Sequence, residues 1–110
     1  MNKALIERIE SKIEQASGLS DSSRVELARL LALLREEMSV LEKTHDDQAE
    51  SIAGFAGAAT HEAMREQTNP HLLQLAIDGF SASVEDMEIE HPKLVEVTNS
   101  ICTMLSNLGI

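Results

Sequence analysis

Residues 25–41, VELARLLALLREEMSVL, constrain the fold more than any other stretch. Leu27, Leu31, Leu34, Met38 and Leu41 recur alternately four and three positions apart, which keeps one seam of a helix facing a partner. Leu30, Leu33 and Val40 lie beside that seam and widen the apolar surface. A helix this apolar needs neighbours on at least two sides. The expectation is an all-α fold, an antiparallel bundle of four to five helices in one domain over residues 1–110, with this helix at its centre. Five short helices with two Phe are expected to leave part of the surface uncovered. Leu27, Leu30, Leu31, Leu34, Met38 and Leu41 are therefore the candidate self-association residues of a homodimer or higher oligomer.

The remaining helices follow from spacing and from their start and stop signals. Residues 3–16 place Ile6, Ile9, Ile13 and Ala16 on one face, and Gly18 suits the left-handed position after a helix end. Ser20 is the expected cap of the central helix, which should extend to about residue 43. Asp47 and Glu50 resemble a capping box and favour a turn at residues 44–47, although nothing there forbids a continuous helix. A third helix over residues 48–67 has a seam of small residues, Ala49, Ile52, Ala56, Ala59 and Ala63. Asn69-Pro70 and His91-Pro92 mark two further starts, with Pro at the first helical position. Leu73, Ile77, Phe80, Val84 and Met87 form the seam of the fourth helix. Leu94, Val97, Ile101, Met104, Leu105 and Leu108 line the fifth. At the end of the chain, Gly109 and Ile110 suit a Schellman closure on Leu105.

Composition narrows the function classes. The net charge is −10, divided as −1 over residues 1–45, −3 over 46–65 and −6 over 66–110. Phosphate backbones are held by Lys and Arg, and single-stranded bases stack on aromatic rings, so no nucleic-acid partner is expected. Residues 52–59 are too short for a membrane span, and the charged N-terminal residues cannot form the apolar core of a signal peptide, so no membrane partner is expected. The lone Cys102 fits a reducing compartment, and a cytoplasmic location is expected.

From Met87 onward, MEIEHPKLVEVTNSICTMLSNLGI resembles the C-terminus of the domain-of-unknown-function 4404 family of small bacterial proteins. The resemblance lies in Met87 and Glu88, His91-Pro92, Leu94, Ile101, Leu105 and the closing Asn107-x-Gly109-Ile110. The Leu-rich helix after Leu19-Ser20 is similar as well. The resemblance implies a small helical bacterial protein and brings no known activity or catalytic residue.

Two Glu-x-x-His pairs, Glu42 with His45 and Glu88 with His91, match the spacing by which di-iron bundles place two ligands on one helix face. Glu50, Glu62 and Glu66 could complete such a site. Both His fall at helix ends, however, whereas di-iron ligands project into a bundle core, and His91 is explained by its place before Pro92. The expectation is no metal and no other cofactor. Glu85, Asp86, Glu88 and Glu90 form an acidic patch at the expected C-terminal end of the fourth helix, where the dipole disfavours negative charge. Solvation explains the patch, and a basic protein partner is the sharper alternative. No catalytic constellation is found. The leading expectation is a non-enzymatic, self-associating interaction or scaffold module. The competitors are a metal-binding bundle and an acidic docking protein.

Overall fold

The computed structural model describes residues 2–108. They form five α-helices, α1 (Asn2–Gln15), α2 (Asp21–Leu41), α3 (Asp46–Ala63), α4 (Pro70–Ala82) and α5 (Pro92–Leu108), with one 3-10 turn at Glu85–Met87. α1 packs on α2 and α3, α2 on α5, α5 on α4, and α4 on α3, which closes a ring; α3 also meets α5 across it. The ends of α1, α3 and α5 converge, since residues 15–19, 63–66 and Leu108 line one common groove. At the opposite end, Gln48 reaches Asp86 and His45 lies against His91. Short connections thus give the up-and-down course expected of an antiparallel bundle. None of these helices is long and apolar enough to cross a membrane.

The starts follow local chemistry. Ser20 Oγ accepts from the Ser23 amide at 3.2 Å and caps α2. Asn69 Oδ1 accepts from the amides of His71 and Leu72, each at 3.1 Å, with Pro70 in the first turn of α4. α3 begins at Asp46 without a side-chain cap on His45. The expected Asp47 capping box is absent, and Asp46 and Asp47 sit instead in the first turn, where the helix dipole favours them. The break between α2 and α3 spans residues 42–45.

The ends depart further from expectation. No described glycine has a positive φ, so Gly18 does not close α1 by a left-handed turn. Arg24, from the first turns of α2, donates instead to the carbonyls of Glu14 (3.1 Å), Ala16 (2.7 Å) and Leu19 (3.2 Å). A guanidinium satisfies these carbonyls and complements the negative end of the dipole at once. α3 stops at Ala63 rather than at residue 67. α4 stops at Ala82, not at Met87; Ser83 Oγ donates to the Phe80 carbonyl at 2.6 Å, and the 3-10 turn follows. Val84 and Met87 are still buried, so the seam continues beyond the helix. The expected Schellman closure at Gly109 and Ile110 lies outside the described residues.

Candidate functional site

The six candidate self-association residues of α2 occupy the protein's own core. Leu27, Leu30, Leu31, Leu34, Met38 and Leu41 are each 5% exposed or less within the single chain. α1 covers one flank of α2 and α5 the other, with Ile6, Ile9, Ile13, Leu94, Val97 and Ile101 buried in the same cluster. The expectation that five short helices would leave this seam open is corrected for these six residues, while Val40 beside the seam stays 53% exposed, so part of the widened face is uncovered as expected. Small side chains are the physical reason, since Ala49, Ala53, Ala56 and Ala59, at 1% exposure or less, bring α3 close enough to complete the ring.

The histidines of the two Glu-x-x-His pairs meet at one end of the bundle. The rings of His45 and His91 stand edge to face, their centroids 6.1 Å apart. Thr44 Oγ1 hydrogen-bonds His45 Nδ1 at 2.7 Å. No third ligand joins them: among the described residues, no group of three or more His, Cys, Asp or Glu has a geometry that could hold a metal. Glu88 is exposed, Glu62 pairs with Arg65 at 3.1 Å, and Glu50 and Glu66 are exposed.

Glu85, Asp86, Glu88 and Glu90 are all exposed. They do not burden a helix C-terminus as expected, because α4 has already ended. Glu85 and Asp86 open the 3-10 turn, and Asp86 accepts from Gln48 Nε2 at 3.4 Å. Cys102 is 8% exposed, and its thiol is directed at the Ile77 carbonyl, 3.9 Å away. Burial, with the nearby Asp78 charge second, pushes this thiol up to about 11, so it is a poor nucleophile.

One surface was missed by reading seams alone. Leu73, Ile77 and Phe80 point inward from α4, while Leu72 and Leu75 on its outer side are 40% and 54% exposed. Phe55 of α3, 41% exposed, lies beside Gly79 of α4 and extends the same apolar strip. The available signal was the doubled leucines of PHLLQLAIDGF, too apolar for a helix with one buried stripe. Asp78 is the only Asp, Glu, Lys or Arg in α4.

A family model, Domain of unknown function (DUF4404), matches residues 3–110. The chain belongs to that family. The match reaches all five helices. No curated protein and no solved structure matches this DUF4404 chain.

Proposed function

We propose that this DUF4404 chain is a non-enzymatic, self-associating scaffold module that pairs through the outer face of α4. The observation that carries this reading is the strip Phe55, Leu72 and Leu75, three large apolar side chains held in solvent on adjoining helices. Such patches mark interaction surfaces more often than isolated exposed leucines do. Charge sets where two copies can meet. Two copies carrying −10 each repel, and α4, with Asp78 as its sole formal charge, is where they approach at least cost. An antiparallel α4 pair about a twofold axis sets Leu75, near the middle of the helix, against its own copy.

The described buried polar side chains, Thr60 and Thr98, offer no acid, base or activated nucleophile, which favours a binding role over catalysis. The single buried thiol favours the cytoplasm as the setting. Cysteine cross-linking tests the pairing. In a Cys102→Ser background, Leu75→Cys should oxidise to a disulfide-linked dimer, while a cysteine at the exposed Ser100 of α5 should not. Equal cross-linking at both positions, or none at Leu75→Cys, would contradict the α4 pairing.

A further inference from the structure

A groove of about 310 Å³ runs between α1 and α3. Ile9, Gly54 and Gly57 line its apolar part, and Leu5 adjoins them. A Cβ on Gly54 would meet nothing within 4 Å, and one on Gly57 would stand 3.8 Å from Ile9 Cδ1. Neither glycine has a positive φ. Glycine inside a helix lowers its stability relative to alanine, and nothing within the chain requires either one. Their effect is to leave the groove open.

Arg8 and Lys12 line the same groove and are exposed. Among the described residues, neither makes a hydrogen bond or ion pair. Arg24 is held by carbonyls, whereas Arg29, Arg35 and Arg65 are each paired with glutamate. In a chain of net charge −10, two unpaired cations beside an apolar groove reverse the local sign. This site suits an aliphatic side chain flanked by carboxylates.

The chain itself carries that ligand. Ile89 is 94% exposed, the most exposed large hydrophobic residue among those described, and it stands between the exposed Glu88 and Glu90. It is not among the residues lining the groove of its own chain. An apolar site of about 150 Å³ holds a benzene ring, so the groove has room for an isoleucine side chain and its flanks. We infer that Glu88-Ile89-Glu90 of one copy seats in the α1–α3 groove of the next. Ile89 lies over Gly54 and Gly57, and the two carboxylates face Arg8 and Lys12. The contact rests on the self-association reading and adds to it a second surface of opposite kind. It joins two different faces, so it propagates head to tail, whereas the α4 pair closes on itself.

Sedimentation velocity of the full chain carrying Leu75→Glu, which removes the α4 pair, isolates this contact. Association should persist in that background, and Ile89→Ser or Gly54→Leu should each weaken it at least tenfold. Arg8→Glu should do the same, and adding Glu90→Arg on the same chain should restore most of the loss. A monomer at every concentration in the Leu75→Glu background overturns the inference, as does indifference to Ile89→Ser or a charge exchange that restores nothing. If Leu75→Glu is silent and Ile89→Ser abolishes association, the α4 pair fails and the groove contact stands.

Discussion

The ring of Phe55 lies against Gly79 so closely that a Cβ on the glycine would come within 2.5 Å of ring atom Cε1. A methyl group there forces the ring to move, and only the absence of a side chain lets α3 lay this aromatic against α4. The ring stays partly in solvent and adds its edge to the Leu72–Leu75 strip.

Gly79→Ala should therefore leave the fold nearly as stable and weaken self-association. The alanine gains about 1 kcal/mol of helix propensity, and displacement of the ring offsets a similar amount. Calorimetry should show a small change in melting temperature, while sedimentation shows a larger monomer fraction. A stabilised protein with unchanged association would show that the ring takes no part in the contact.

Leu34 is 0% exposed in the middle of α2. Leu34→Ala should cost roughly 2–5 kcal/mol through lost burial and the cavity left behind. Leu34→Asp, which would weaken association selectively if α2 were an interface, should instead unfold the chain, because it buries an unpaired charge. Circular dichroism during thermal melting separates the two outcomes.

The helix starts were legible because Ser20, Asn69-Pro70 and Pro92 act on their own neighbours. The close of α1 was not, since it depends on Arg24 reaching back across a turn to three carbonyls. The coverage of α2 was hidden for a similar reason: how much of a leucine seam its partners conceal depends on how closely the alanines of α3 let them approach. The meeting of His45 and His91 was foreshadowed by their matching motifs, but only the fold shows that among the described residues no third ligand joins them. Leu72 and Leu75 were visible as residues, yet their exposure depends on which side of α4 meets α3 and α5.

Thr98 is 0% exposed, and its hydroxyl has no hydrogen-bond partner among the described residues. A buried, unsatisfied hydroxyl costs about 1–3 kcal/mol. Thr98→Val keeps the shape and removes the polar group, so it should raise stability by about 1 kcal/mol in urea unfolding.

Cys102 should react slowly with thiol reagents in the native protein and rapidly in denaturant. Its folded pKa of about 11 lies above the ordinary thiol value of about 8.5, so the fold favours the neutral thiol. The resulting stability is fully present below about pH 8.5 and is lost as the pH rises towards 11. The stability of Cys102→Ala should fall less steeply than that of the native chain across this interval.

The pairing of α4 is tested most directly by sedimentation equilibrium of the native chain beside Leu75→Glu, at tens of micromolar protein and moderate salt. The native chain should show a mass well above the 12.0 kDa of one copy. Leu75→Glu, altered at an exposed position, should keep the native melting temperature and lose mass relative to the native chain. A native mass of 12.0 kDa, or equal masses for the two proteins, would contradict the account.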